Sequence, residues 1–263
     1  MDLHLTGKSV IVTASSKGLG KATALEFAKE GAVVMISSRN ESELEKVVAE
    51  IKEESSNDKV NYAVCDVTKP DDVKNLIENT VELHGKIDIL INNSGGPPAG
   101  GFEEFSDEDW QNAFELNLLS YIRLVRGVIP HMRKVGEGRI INIASSSIKQ
   151  TLDNLILSNT LRAGVLGLSK GLSQELAKDN ILINTIGPGR IATDRVVELD
   201  EIRAEKEDVS YKDLLEETEK SIPIGRYGRP EEFAKVVVFL SSSANTYVTG
   251  QSLIVDGGLI KAL

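Results

Sequence analysis

The chain has 263 residues, of which 41% are hydrophobic and 27% charged. That is enough to bury a sizeable core, and an α/β chain of this length is routinely one domain, here residues 1–263. A formal net charge of -10 leaves no broad basic surface, which argues against nucleic acid or an anionic membrane as partner.

The opening stretch, MDLHLTGKSVIVTASS, lacks the basic segment and long apolar run of an export signal. No later stretch approaches the roughly 18 apolar residues of a membrane span, so the expected location is the cytoplasm. Cys65 is the only cysteine, which suits a reducing compartment, and it reads as a small core hydrophobe. Short β-branched runs recur along the chain: KSVIVTA, AVVMISS, VNYAVCDV, IDILINNSG, GRIINIASS, ILINTIGPG and SLIVDGG. They predict seven strands. Between them, residues 20–30, 41–53, 71–84, 109–134 and 155–178 have helical periodicity. Strict alternation of strand and helix predicts an α/β fold, a doubly wound parallel sheet with helices on both faces. Residues 194–221 are longer than a normal crossover and rich in Glu and Lys; they predict a mobile helical flap whose charges face solvent.

The first strand runs into TASSKGLG, residues 13–20. Thr13, Ser15, Ser16, Lys17, Gly18, Leu19 and Gly20 are there expected to form a turn whose backbone N–H groups meet a pyrophosphate at a helix N-terminus. The GKS at residues 7–9 is a decoy, because a phosphate loop needs a glycine where Asp2 stands. The second strand ends MISSRN, with no carboxylate for a ribose 2′-hydroxyl. Arg39 and Lys17 can instead clamp a 2′-phosphate, so NADP(H) is the expected cofactor.

TASSKGLG, CDVT (65–68), NNSGG (92–96), ELNLLS (115–120), GRIINIASS (138–146), IGPGRIATD (186–194) and GQSLIVDGG (250–258) together resemble the short-chain dehydrogenase/reductase family over essentially the whole chain. The resemblance is nearest to its 3-oxoacyl-acyl-carrier-protein reductase type. It implies a Rossmann-type fold, with Asp66 and Val67 beside the adenine, Asn93, Ser94 and Gly95 lining the cofactor groove, and Pro188, Gly189, Ile191 and Thr193 holding the nicotinamide amide. It also implies Asn117 and Ser145 as catalytic residues beside a tyrosine and a lysine.

Those last two are missing. Ser158 stands at the tyrosine's place and Arg162 at the lysine's, and no Tyr occurs between Tyr121 and Tyr211. A phenol titrates near about 10 and can be tuned downward, whereas an alkyl hydroxyl is a far weaker acid and shorter by a ring. Ser158 is therefore a poor donor. Arg162 can hold ribose hydroxyls or an alkoxide, although an arginine does not readily shuttle protons. Lys149 and Tyr211 are alternative donors.

Three readings follow: an oxidoreductase with a remodelled relay acting on a small carbonyl or acyl-thioester substrate, a non-catalytic NADP(H)-binding sensor or scaffold, and a partner subunit. His4, His84 and His131 lack ligand spacing, so no metal is expected. Leu118, Leu119, Ile122, Val125, Leu161, Val165 and Leu168 are apolar on more than one helix face, which predicts a homotetramer or homodimer. Trp110 and the loop SGGPPAGG (94–101) read as packing and as a plain loop.

Overall fold

Valine and isoleucine resist helix at χ1 and pack well on a pleated surface, so each β-branched run becomes a strand. The computed structural model describes residues 2–262. Its strands are β1 (Ser9–Val12), β2 (Val33–Ser38), β3 (Val60–Val64), β4 (Ile89–Asn92), β5 (Gly138–Ile143), β6 (Ile181–Pro188) and β7 (Ser252–Val255). All pair in parallel, in the order β3-β2-β1-β4-β5-β6-β7. The order reverses between β1 and β4, so their carboxyl ends flank the crevice where open α/β sheets bind ligands.

The helices are α1 (Gly18–Lys29), α2 (Glu41–Ser55), α3 (Pro70–His84), α4 (Asp107–Phe114), α5 (Ser120–Val135), α6 (Ile156–Leu176), α7 (Asp194–Glu207), α8 (Tyr211–Ser221) and α9 (Pro230–Ser241). Alternate strand residues feed two cores. Val10, Val12, Val34 and Ile36 pack with Phe27, Leu44 and Phe233 on one face, and Ile11, Met35 and Leu90 pack with Leu76, Leu124 and Val128 on the other. Each such side chain contributes about 1.5–3 kcal/mol by leaving water.

Three expectations change here. The helix expected over 109–134 starts earlier, at Asp107 behind the Ser106 cap, and is split by a π-helical turn, Glu115–Leu119, closed by Ser120 N–H to Glu115 C=O. The flap expected over 194–221 is two helices, α7 and α8, with Asp208 in the left-handed region between them (φ 53°). Val125, Leu161 and Val165, counted among the apolar positions that predict an interface between copies, are buried within the chain itself. Among the described residues, no helix is long and apolar enough to cross a membrane.

His84 ends α3 with Nδ1 2.9 Å from Ser9 Oγ and Nε2 3.2 Å from Asn61 Nδ2. Burial depresses its pKa below 6.5. A base whose folded pKa is lowered stabilises the fold fully above its unfolded pKa, and that stability is lost as pH falls toward the folded value. Urea midpoints should therefore fall between about pH 7 and pH 5, and by less in His84→Gln. An identical pH slope in the two proteins would refute the assignment.

Candidate active site

The glycine turn exposes a bare helix end. Lys17, the cap of α1, is extended and offers no side-chain hydrogen bond, and the first turn of α1 carries no acidic residue. The first N–H groups of α1 thus open into the cleft without an internal partner, which fits an anion such as a pyrophosphate. Gly18 takes φ 56°, and a Cβ on Gly20 would lie 2.5 Å from Ala14 C=O, so neither site accepts a larger residue without strain.

Of the seven turn residues expected at the cofactor, Ser16, Lys17, Gly18 and Leu19 line the cleft, whereas Thr13, Ser15 and Gly20 lie beneath it. Thr13 Oγ1 donates to Asn93 C=O (2.7 Å) and accepts from Asn93 N–H (2.9 Å). Ser15 Oγ donates to Val12 C=O (2.7 Å) and accepts from Ser37 N–H (2.9 Å). These hydroxyls fasten the turn to β2 and β4. They are scaffold, because the strands leave them no route to the cleft.

The cleft has a volume of about 2420 Å³ and runs along the carboxyl ends of the strands. Arg39, Asp66 and Val67 line one end; Asn93, Ser94 and Gly95 follow β4, Pro188 ends β6, and Gly189, Ile191 and Thr193 follow it. Burial works against ionisation of Asp66, but bonds from Thr68 N–H (3.0 Å) and Oγ1 (2.8 Å), with Arg39 and Lys69 nearby, hold its carboxyl below the usual range. Cys65 borders this end, and burial pushes its thiol up to about 12, so it stays protonated and packs with Ala63 and Val73.

The opposite wall is built by α6. Ser158, Arg162, Val165, Ser169 and Ser173 recur at steps of three or four residues and are all buried, so they share the face turned to the sheet. Ser169 anchors that face: its Oγ accepts from Asn142 Nδ2 and from Thr185 Oγ1, both at 2.8 Å. Ser145, at the end of β5, lines the cleft and accepts from Ser147 N–H (3.1 Å). Ser158 and Arg162 line it too. The loop 94–101 closes against this wall by Gly100 N–H to Asn154 C=O (2.6 Å). Lys149 and Tyr211 do not reach the cleft.

Arg162 is only 4% exposed and, among the described residues, meets no carboxylate. Its Nη1 donates to Tyr121 Oη (3.0 Å) and to Ile143 C=O (3.1 Å), its guanidinium carbon lies 5.7 Å from the Tyr121 ring centre, and its Nε is buried without a partner. Asn117 sits in the π turn behind the cleft wall, fully buried, with Nδ2 donating to Ala113 C=O (3.2 Å). Ser94 Oγ bridges wall and interior, 3.5 Å from both Asn117 Oδ1 and Tyr121 Oη. Sequence reasoning missed Tyr121. The available signal was its place four residues after Asn117, one turn along the same helical surface.

α7 covers the mouth of the cleft. Its Asp200, 1% exposed, accepts from Arg190 Nη1 (2.5 Å) and Tyr227 Oη (2.7 Å), which corrects the reading of the flap's charges as a solvated face. Burial, then Asp200, raises the Tyr227 hydroxyl to about 12. Arg195 Nη2 reaches Pro97 C=O (3.2 Å) across the opening.

A family profile described as Enoyl-(Acyl carrier protein) reductase matches residues 13–260. The chain is 36% identical to a 3-oxoacyl-[acyl-carrier-protein] reductase of Thermotoga maritima, over 98% of this chain and 100% of that protein. It is 34% identical to dehydrogenase/reductase SDR family member 4 of Oryctolagus cuniculus, over 97% and 94%. Among solved structures, L-sorbose reductase from Gluconobacter frateurii, complexed with NADPH and L-sorbose, superposes with a TM-score of 0.94 at 36% identity, covering 100% of both chains. An actinorhodin polyketide ketoreductase with NADPH gives 0.92 at 32% identity, over 96% and 97%.

Proposed function

We propose, from the premise that this chain belongs to the short-chain dehydrogenase/reductase family, that it reduces the carbonyl of a small ketone or 3-oxoacyl thioester through an atypical proton relay. It is an NAD(P)-dependent oxidoreductase of that family, and NADP(H) is its cofactor. The observation that carries the reading is the shared wall: Ser145 and a buried, carboxylate-free Arg162 line the same cleft into which the uncapped end of α1 opens.

When bound, the reduced nicotinamide supplies a hydride to the carbonyl carbon. The N–H groups of Gly18 and Leu19 would hold the pyrophosphate, Arg39 and Lys17 the 2′-phosphate, and Pro188 to Thr193 the amide. Ser145 Oγ donates to the carbonyl oxygen and orients it. Arg162 lends a fixed positive charge to ribose hydroxyls and to the developing alkoxide, in surroundings dry enough for that charge to act strongly. Stopped-flow absorbance of NADPH mixed with ketones, quinones and oxoacyl thioesters tests this, and absence of oxidation with all of them would defeat it. A non-catalytic sensor is the competing reading, favoured by one observation: Arg162 Nη1 is engaged by Tyr121 and Ile143 rather than left free in the cleft.

Arg39→Ala should weaken NADPH binding by about 1.5–3 kcal/mol, tens-fold in Kd, and leave NADH nearly unchanged. Equal titration curves for NADPH and NADH in the unmutated protein would rule out the clamp. For assembly, Leu118, Leu119, Ile122 and Leu168 remain half-exposed on α5, α6 and the π turn, and they support a homodimer or homotetramer. Light scattering at micromolar concentration should give two or four copies, and a monomer mass would end that proposal.

A further inference from the structure

Resting on the reductase reading above, we propose that Tyr121 is the internal proton source of this site and that Ser94 passes its proton to the substrate. Three observations carry it. Tyr121 is fully buried yet placed in contact with the buried cation Arg162, so the chain retains a phenol beside a fixed positive charge, assembled from α5 and α6. Three cleft-lining groups lie within reach of the Tyr121 hydroxyl, namely Arg162, Ile143 C=O and Ser94, and of these Ser94, at 3.5 Å, is the hydroxyl, able both to accept a proton and to pass one on. Contacts of that length are typical of an open site and tighten when a ligand fills it.

The third is a matter of hydrogen-bond accounting. At rest the Tyr121 hydroxyl donates to Ile143 C=O at 2.7 Å. Turning about its C–O bond toward Ser94 withdraws that donor, but Ile143 C=O keeps Arg162 Nη1 at 3.1 Å and is not orphaned. The turn thus avoids the penalty of a buried, unsatisfied acceptor.

Hydride addition to the carbonyl carbon breaks the C=O π bond and leaves the electron pair on oxygen. That oxygen takes the Ser94 hydroxyl proton, and Ser94 Oγ takes the Tyr121 proton. The remaining phenolate faces Arg162, whose charge compensates it at hydrogen-bond distance. After product leaves, water entering the cleft returns one proton to Ser94 and through it to Tyr121. One hydride and one proton are consumed per turnover. Asn117, 3.5 Å from Ser94 Oγ, positions the serine between its two roles.

The test is single-turnover NADPH oxidation by the full chain, in H2O, D2O and mixtures, with the best substrate of the panel above. The unmutated protein should show a curved proton inventory, two protons moving together. Measured at saturating NADPH, Tyr121→Phe and Ser94→Ala should each slow oxidation by roughly 10²–10⁴, and the double variant should be no slower than either single, because the groups act in series. A second readout uses the cofactor-free chain labelled with [13Cζ]tyrosine: the Tyr121 resonance should shift in Ser94→Ala and in Arg162→Gln. A purely structural role predicts losses that multiply and a proton inventory unchanged in the variants, and either result overturns the relay. Were Tyr121→Phe not to fold, Ser94→Ala on the cleft wall carries the same inventory and resonance predictions. An unmutated protein that oxidises no NADPH defeats the reductase reading, and the relay with it; an active protein indifferent to both substitutions defeats the relay alone.

Discussion

Asp200→Ala is expected to release α7 from the body of the protein. The carboxylate is buried and holds two groups from different segments, Arg190 after β6 and Tyr227 before α9. Breaking a buried pair by removing one partner costs about 3–5 kcal/mol. Arg190 and Tyr227 are both partly open to water, so a value near the lower end, about 3 kcal/mol, is expected. Because α7 packs chiefly on α8 and on the cleft edge, it opens without unfolding the sheet. Exchange protection of the α7 amides should therefore fall by roughly 10²-fold while β4 and β5 amides keep theirs. The Tyr227 hydroxyl, now at about 12, should titrate lower once the neighbouring carboxylate is gone, which ultraviolet absorbance reads directly. Asp200→Asn keeps the shape and should lose less. Unchanged α7 exchange in Asp200→Ala would show that the helix is held by its apolar contacts instead.

The sheet was legible because each strand advertises itself locally. Val10, Ile11 and Val12 alternate between two cores, and a run buried on both faces has no other reading between turn glycines. The bare N-terminus of α1 was legible because Lys17, Gly18 and Gly20 mark the turn within a few residues of sequence, although bonds to Ser37 and Asn93 then fasten it. What stayed hidden depends on partners far along the chain. Asp200 has the local composition of an exposed helix, and only the arrival of Arg190 and Tyr227 makes it a buried anchor. Thr13 and Ser15 look like phosphate ligands in the motif, yet their hydroxyls are taken by Asn93 just after β4 and by Ser37 of β2. The π turn at residues 115–119 is invisible to a 3.6-residue period, since it inserts one residue without changing the apolar pattern. Tyr121 was overlooked because a tyrosine was sought after Ser145, whereas the fold brings one to Arg162 from 41 residues upstream.

Ser158→Tyr combined with Arg162→Lys is expected to raise NADPH oxidation with an acetoacetyl thioester by roughly the 10²–10⁴ of a positioned general acid, and each change alone by much less. A phenol at position 158 grows from an α6 face that lines the same cleft as Ser145. The local obstacle is the segment before α6, held close by Asn159, whose Nδ2 donates to Leu152 C=O (2.9 Å) and whose Oδ1 accepts from Leu152 N–H (3.2 Å). With arginine kept at 162, the planar guanidinium stays fixed on Tyr121 and Ile143 and serves the new phenol poorly. With lysine alone, Tyr121 faces a mobile ammonium and no phenol reaches the carbonyl. Only the pair supplies both a donor in the cleft and a cation free to turn toward it. If the relay through Ser94 operates in the unmutated chain, Tyr121→Phe should slow that chain by the full factor and the double variant hardly at all, because the new phenol takes over the donation. A double variant that folds and binds NADPH, yet like the unmutated chain oxidises none of it, means that the cleft does not present a carbonyl for reduction, and the non-catalytic binding reading then replaces the reductase.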